Sequence, residues 1–174
     1  IKRGKKFMVG YLGVIGQQEG IEYLLKAAKY IKELPGRNDV FWGIVGGGPD
    51  VEHMKKLSHD MGLDDIVEFT GRVPDQTLLD YLNTADVCVN SDEYNAMNDK
   101  STMNKVLEYM ALGKPLVQFD LTEGRFSAQE ASLYAKRNDA EDMAKKILEL
   151  LDNPEKRKQM GEYGRNRVIN ELSW

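Results

Sequence analysis

The stretch "DVFWGIVGGGPDVEHMKKLSHDMG", residues 39–62, decides the fold class. Its first half, residues 39–46, is a short apolar run that is typical of a buried strand. Three glycines and Pro49 follow, a combination that lets the backbone turn tightly and lets a helix begin. Residues 50–62 then form a helical pattern that ends at Gly62. The stretch therefore predicts a strand, a glycine-rich turn and a helix, the repeating unit of an α/β sheet.

The same alternation continues on both sides of this stretch. Strands are predicted over residues 7–15, 66–71, 86–90, 115–119 and 131–135. Helices are predicted over residues 20–34, 75–85, about 101–112, 140–152 and 155–172. Strands that alternate with helices predict right-handed crossovers and a parallel sheet. We therefore expect an α/β, Rossmann-like parallel sheet with helices on both faces.

Ligands of such sheets bind where the strands end. The loops that we expect at this edge are 13–20, 46–50, 71–75, 90–101 and 120–128. The 174 residues suit one domain, 1–174. The chain begins "IKRGKK" without methionine and stops at "ELSW" directly after a helical pattern. We therefore expect a piece of a longer protein, with a site that is shared with the rest of it.

Composition narrows the class of protein. Hydrophobic residues make up 41% and charged residues 30%, and the net charge of −4 disfavours a general nucleic-acid binder. No apolar run approaches the roughly 20 residues that cross a bilayer. Cys88 is the single cysteine, so an internal disulfide is excluded and a buried thiol in a reducing cytoplasm is expected.

Two glycine-rich loops are candidate phosphate sites. Gly13 lies in the first of them, and Gly47, Gly48 and Pro49 form the second. Glycines let backbone N–H groups approach a phosphate, but a plain turn is an equal alternative for each loop. The first loop matches neither GxGxxG nor the lysine-containing phosphate loop.

Residues 98–115, "NDKSTMNKVLEYMALGKP", are the most unusual stretch. The free N–H groups at the predicted helix start would favour an anion such as a diphosphate, with Lys100 nearby. Alternatively, Ser101 or Asp99 only caps the helix. Glu108 falls two turns later among apolar residues, where we expect it to be buried. A buried carboxylate needs a partner, either the two hydroxyls of a ribose or a neighbouring loop.

Other polar residues are weaker candidates. Asp120, Thr122, Glu123 and Arg125 follow a predicted strand and either line the cleft or form a solvated loop. His53 and His59 have no partner at the spacing of metal ligands.

Four segments together carry a resemblance to a known family: "IVGGGPD", "GLDDIVEFTGRVP", "LLDYLNTADVCVNS" and "KVLEYMALGKPLVQFD". The chain resembles the C-terminal, nucleotide-sugar-binding domain of retaining GT-B glycosyltransferases of the group 1 type. The resemblance extends from Val9 to Trp174. It implies one half of a two-domain fold, in which the N-terminal domain binds the acceptor. It also implies a UDP- or GDP-type sugar donor, no metal and no other cofactor.

The resemblance further implies a sugar or lipid-linked sugar as acceptor, in bacterial surface polysaccharide or glycolipid synthesis. It implies a cytoplasmic protein whose parent chain can associate with the inner face of the membrane. No nucleic-acid partner is implied.

Site residues follow from the resemblance, position by position. Glu108 matches the second glutamate of a paired-glutamate motif, which holds the ribose hydroxyls. The remaining donor-binding positions are Gly13 near the phosphates, Ser101, Thr102, Met103 and Asn104 at the diphosphate, Gly47, Gly48 and Pro49 beside the nucleotide, and Arg72 and Val73 against the base.

The chain also departs from the family pattern. The first glutamate of the pair is replaced by Lys100, with Asp99 beside it, and we assign these two as the candidate catalytic residues. The arginine and lysine of the family's first loop fall on Val14 and Glu19. We therefore expect Lys100, helped by Lys105 or Arg125, to supply the missing positive charge. An NAD-type domain, an epimerase-like protein and a degenerate nucleotide-binding module remain alternatives.

Overall fold

The computed structural model describes residues 1–100 and 104–172, without the side chains of Asp99 and Lys100. The six strands are β1 (Phe7–Leu12), β2 (Val40–Val45), β3 (Val67–Phe69), β4 (Val87–Asn90), β5 (Leu116–Phe119) and β6 (Ser132–Ala135). The helices are α1 (Ile21–Glu33), α2 (Val51–Asp60), α3 (Asp75–Thr84), α4 (Ala96–Lys100), α5 (Asn104–Ala111), α6 (Thr122–Ala128), α7 (Ala140–Leu151) and α8 (Pro154–Asn170).

The strands form one parallel sheet in the order β3-β2-β1-β4-β5-β6. This confirms the predicted Rossmann-like α/β fold. The strand order reverses at β1, which pairs with β2 along its whole length but with β4 only at Val9–Val87 and Gly10–Cys88. In open α/β sheets a crevice opens at such a reversal, beyond the carboxyl ends of the strands.

Helices cover both faces of the sheet. Val9 and Trp42 point into one apolar cluster, which includes residues of α1, α2 and α7. Their neighbours Met8 and Phe41 point into the other cluster, which includes residues of α3, α5 and α8. The alternation follows from the two-residue period of a strand, and it explains why these strands are apolar on both sides.

Two short helices were not predicted. Helix α4 lies in the expected loop 90–101, and α6 lies in the expected loop 120–128. Helix α6 has no apolar stripe that would reveal it, because it buries only Gly124, Ser127 and Ala128, and α4 has only five residues. A 3₁₀ turn at Gln129–Ala131 also replaces the start of the last predicted strand.

The single thiol of Cys88 is fully buried on β4, as expected, and burial raises its pKa to about 12. Across the described residues, no helix combines the length and the hydrophobicity that crossing a membrane requires.

Candidate functional site

A cavity of about 530 Å³ lies at the carboxyl edge of the sheet, beside the reversal at β1. Its wall comes from the ends of β1, β2 and β3 and from helices α3 and α5. We call it the larger cavity, and it is lined by Leu12, Gly13, Val14, Gly46, Gly47, Arg72, Leu78, Asn104, Lys105 and Glu108.

One wall of the larger cavity is bare backbone. The loops after β1 and β2 are joined there, because the N–H of Ile15 donates to the carbonyl of Gly47 at 2.9 Å. Gly46 has a φ of 133°, and a Cβ on it would lie 2.0 Å from the carbonyl oxygen of Gly13. Only glycine allows the two loops to approach this closely.

Helix α5 forms another wall. Asn104 and Glu108 are four residues apart and Lys105 precedes Glu108 by three, so all three lie on the side of the helix that faces the cavity. Glu108 is exposed, and the expectation that it is buried among apolar neighbours was wrong. Those neighbours, Val106 and Tyr109, point the other way into the core. The Glu108 side chain has no hydrogen-bond partner among the described residues, so its carboxylate is free to accept a ligand.

Lys105 provides a positive charge in a fixed position. Its Nζ lies 3.1 Å from Tyr11 Oη and 3.4 Å from Asp92 Oδ1, and its side chain is only 12% exposed. Burial raises the pKa of Tyr11, so its hydroxyl stays protonated and donates to the carbonyl of Val14 at 2.9 Å. An ammonium has three N–H donors, and these contacts use two of them. Lys105 therefore retains a donor beside the glycine wall.

Asp92 is the acidic partner of Lys105 and is buried, with its side chain 4% exposed. Burial raises its pKa, and the Lys105 charge opposes that effect. Its backbone N–H donates to Asn90 Oδ1, and its Oδ1 faces Lys105. Its Oδ2 has no hydrogen-bond partner within the described part of the chain. A buried ion pair is stable only when further hydrogen bonds satisfy its atoms, so this oxygen needs a donor.

Tyr109 fixes α5 at the sheet reversal. Its hydroxyl accepts a hydrogen bond from the N–H of Leu12 at 2.8 Å and donates one to the carbonyl of Val89 at 2.9 Å. The side chain is fully buried between β1 and β4, where the direct pairing of these strands has ended. It therefore holds the cavity-lining face of α5 in register with both strand ends.

A match to a family profile shows to which protein family the chain belongs. The profile of the family described as "Glycosyl transferases group 1" matches residues 1–167. The chain belongs to this family. As a group 1 glycosyl transferase, it is similar to an uncharacterized glycosyltransferase of Haemophilus influenzae, with 28% identity over 172 residues. That match covers 92% of this chain and 46% of the relative.

Two further comparisons, one with a curated relative and one with a solved structure, support the same family and fold. A GDP-mannose-dependent α-(1-6)-phosphatidylinositol monomannoside mannosyltransferase of Mycobacterium tuberculosis is 31% identical over 135 residues, which is 75% of this chain and 35% of that protein. The structure of a mutant of S. aureus TarM in complex with fondaparinux, α-GlcNAc-glycerol and UDP has a TM-score of 0.83 and 22% identity. It is matched over 95% of this chain and 32% of TarM, and it supports the GT-B fold. The chain thus spans less than half the length of each of these relatives.

The group 1 site residues predicted from sequence fall into three sets. The larger cavity brings together Gly13, Gly47, Arg72, Asn104 and Glu108. Gly48, Pro49 and Val73 are not among its lining residues. Gly48 instead packs against the first loop, since a Cβ on it would lie 2.5 Å from the carbonyl oxygen of Ile15. A third set lies outside the described residues: Ser101, Thr102, Met103 and the side chains of Asp99 and Lys100.

The polar residues after β5 take no part in this cavity. Arg125 Nε donates to Asp120 Oδ1 at 2.7 Å, and its guanidinium lies 4.0 Å from the centre of the Tyr134 ring. Neither Arg125 nor Asp120 lines the larger cavity. Lys105 and Arg125 were the two residues that we expected to help replace the positive charge of the family's first loop. Of these, only Lys105 lines the larger cavity.

The two histidines lie elsewhere. His53 Nδ1 is 3.2 Å from Asp50 Oδ1, and His59 Nδ1 is 2.6 Å from Asp64 Oδ2. The hydrogen bond to Asp64 raises the pKa of His59. Among the described side chains, no three His, Cys, Asp or Glu residues form a group that could hold a metal ion.

Sequence reasoning missed Asp92 and the polar role of Tyr11. Asp92 follows β4 in a loop that was expected at the binding edge, and this position was the available signal. Tyr11 gave no signal, because its alternating place on β1 predicts packing alone.

Proposed function

We propose that this chain is the donor-binding half of a retaining glycosyltransferase. It binds a UDP- or GDP-type nucleotide sugar, and the sugar is transferred with retention to an acceptor hydroxyl on a separate N-terminal domain. One observation carries the proposal. A single cavity contains a free carboxylate at Glu108, a fixed ammonium at Lys105 and a bare backbone wall at Gly13 and Gly46. These are the groups that a nucleoside diphosphate requires.

Glu108 is suited to the ribose. A carboxylate has two acceptor oxygens, which can take one hydrogen bond from each of two adjacent hydroxyls. The side chain is exposed at the cavity and has no competing partner among the described residues. An NAD-type site would instead place its ribose acid after the second strand and its phosphate at GxGxxG, and this chain has neither in register.

The diphosphate fits between Lys105 and the start of α5. Lys105 supplies the charge that the family's first loop lacks here at Val14 and Glu19. The predicted helix start at Ser101, Thr102, Met103 and Asn104, of which the structure describes only Asn104, would add N–H groups and the positive end of a helix dipole. Arg72 lines the cavity beyond β3, where its planar guanidinium can lie against the base.

The chemistry then requires little more than charge stabilisation from this half. As the bond between the sugar and the β-phosphate breaks, negative charge grows on the leaving nucleoside diphosphate. Lys105 lies where it can stabilise that charge. The acceptor hydroxyl attacks the same face of the sugar, so a bond from its oxygen to the sugar carbon replaces the bond to the β-phosphate. Its proton passes to the departing β-phosphate oxygen, which lies on that same face. Asp99 and Lys100 remain the candidate catalytic residues. We expect the isolated chain to bind donor without turnover, because the acceptor domain is separate.

The relatives indicate which probes to use. One is named as GDP-mannose-dependent and another was solved with UDP, so both nucleotides are tested. A role in bacterial surface polysaccharide or glycolipid synthesis accords with the mannosyltransferase relative.

Calorimetric titration of the chain with UDP, GDP and NAD tests the proposal. We expect UDP or GDP to bind with saturable heat, and NAD to bind more weakly than either. Preferential binding of NAD, or no binding of UDP and GDP, would contradict a donor site. Release of nucleoside diphosphate by the full-length protein, measured over a panel of nucleotide sugars, then tests transfer itself.

A further inference from the structure

A second, smaller cavity of about 200 Å³ adjoins the larger one. The two share Val14 and Lys105 as a common wall. The smaller cavity is otherwise lined by Gln18, Glu19, Asp92 and Asn98. A ligand held at Lys105 can therefore extend to both sides, into the larger cavity on one side and into the smaller cavity on the other.

The smaller cavity is acceptor-rich. Asp92 and Glu19 contribute carboxylates, and Gln18 and Asn98 contribute amides. Two carboxylates repel a second phosphate but accept hydrogen bonds from neutral hydroxyls. The chemistry therefore fits an uncharged, polyhydroxylated group.

Asp92 provides the independent observation that points to a ligand. It is more than nine-tenths buried, and its Oδ2 lacks a donor among the described residues, while Oδ1 is occupied by Lys105. Buried acceptors in folded proteins nearly always have a donor. A hydroxyl that reaches this oxygen from the smaller cavity would supply one.

The loops around this cavity are already held in place. Ser91 Oγ donates to the carbonyl of Glu19 at 2.8 Å, and Asn98 Nδ2 donates to the carbonyl of Glu93 at 3.0 Å. The N–H of Glu93 also donates to the carbonyl of Gln18 at 3.2 Å. These bonds join the loop after β1 to the loop after β4, so the position of Asp92 does not depend on the ligand.

We infer that the smaller cavity is the subsite for the transferred sugar and that Asp92 Oδ2 accepts a hydrogen bond from one of its hydroxyls. The inference rests on the proposed function, which places the ribose at Glu108 and the diphosphate at Lys105. In a nucleotide sugar, the diphosphate lies between the sugar and the nucleoside. With the nucleoside in the larger cavity, the sugar lies across Lys105 against Asp92.

The test is the affinity for a nucleotide sugar relative to its parent nucleoside diphosphate. Wild type, Asp92→Asn and Asp120→Asn are titrated with UDP, UDP-glucose, GDP and GDP-mannose. Asp120 is a matched control, because it also pairs with a cation but lies outside both cavities. The terminal phosphate of UDP or GDP carries one more negative charge than the diester phosphate of a nucleotide sugar, so the β-methyl esters of UDP and GDP, which have the charge of the nucleotide sugar, serve as the parent compounds in the ratio. Any effect of Asp92→Asn on Lys105 then acts equally on both members of a pair and cancels.

We expect Asp92→Asn to lower the affinity for the bound nucleotide sugar about tenfold or more relative to its parent, and Asp120→Asn to leave that ratio unchanged. Equal loss for sugar and parent, or no loss, overturns the inference while leaving the proposed function intact. Failure of wild type to bind UDP and GDP overturns both.

A measurement on wild type keeps the inference testable if Asp92→Asn does not fold. In amide NMR spectra, Asn98 and Gln18 should shift with the nucleotide sugar beyond the shift that the nucleoside diphosphate alone causes. Identical shifts with both ligands would overturn the inference.

Discussion

The Nζ atom of Lys105 on α5 lies 3.4 Å from Oδ1 of Asp92, which follows β4, and both side chains are almost fully buried. The pair forms the boundary between the two cavities at the carboxyl edge of the sheet. A lysine held in this way has little rotamer freedom left to lose when it meets a phosphate, which favours binding. The pair is therefore the centre of the electrostatics that we propose for this site.

Replacing Lys105 with alanine should weaken the binding of UDP or GDP. The loss of one charge-assisted contact is worth about 1.5–3 kcal/mol, which corresponds to roughly a tenfold to hundredfold higher Kd. Lys158→Ala is the control, because Lys158 is exposed on α8 and lines neither cavity. Calorimetric titration of wild type and both variants with UDP and GDP gives the Kd values to compare. Equal Kd values for the two would show that Lys105 does not contact the diphosphate.

Removal of Glu108 should abolish recognition of the ribose hydroxyls. Wild type should prefer UDP over 2′-deoxy-UDP by about tenfold, since the deoxy ligand leaves one carboxylate hydrogen bond unmade. Glu108→Ala should bind both ligands weakly and equally, whereas Glu162→Ala, an exposed change on α8, should keep the preference. The same measurement is made with GDP and its deoxy form. A preference that survives in Glu108→Ala would place the ribose elsewhere.

Asp92 should make the chain less stable as pH rises. Its pKa is raised in the folded state by burial, so the folded chain holds this proton more tightly than the unfolded chain. The contribution of Asp92 to the free energy of unfolding is therefore largest below the ordinary aspartate pKa of about 3.9. It is lost as pH rises through the higher pKa that Asp92 has in the folded chain. The Asp92→Asn variant does not lose stability in this way, because asparagine does not titrate.

The measurement is urea unfolding of wild type and Asp92→Asn over the acid range. Asp65 and other carboxylates titrate too, and the pKa of Asp65 is lowered by its hydrogen bond to Lys32. Their contributions cancel in the difference between the two proteins. The free energy of unfolding of Asp92→Asn should rise relative to that of wild type as pH rises, and a pH-independent difference would contradict a raised pKa for Asp92.

Gly46→Ala should destabilise the chain by about 2–4 kcal/mol, because the new Cβ would lie 2.0 Å from the carbonyl oxygen of Gly13. Gly62→Ala is the matched control. Gly62 also has a positive φ, 76°, but no atom lies within 4 Å of the place that its new Cβ would take, so only about 1–2 kcal/mol of backbone strain is expected. Urea unfolding gives both values. Equal losses would mean that the close approach of the two loops is not required.

The sequence predicted the sheet well, because its strands are buried on both faces and are separated by glycine and proline. Stretches such as residues 39–46 carry that signal locally. Helices α4 and α6 carried no such signal, since they are only five and seven residues long and are too short for an apolar stripe at helical spacing. The boundaries of the long helices were accurate to within a few residues, for example 140–152 against Ala140–Leu151.

The site was predictable only in part. Gly13 and Glu108 were predicted as site residues because glycine loops and a carboxylate in an apolar run stand out in a sequence, and both line the larger cavity. The exposure of Glu108 was missed, since the direction of a helix residue depends on which neighbouring face the fold covers. The contact between Lys105 and Asp92 joins residues 13 positions apart across two elements, and no local pattern reports it.

A crystal structure of the chain with UDP or GDP bound would test the donor-site account most directly. The account predicts the ribose hydroxyls on the carboxylate of Glu108 and a β-phosphate oxygen within hydrogen-bonding distance of Lys105 Nζ. A nucleotide that leaves both side chains without contact, or that binds away from the carboxyl edge of the sheet, would contradict it.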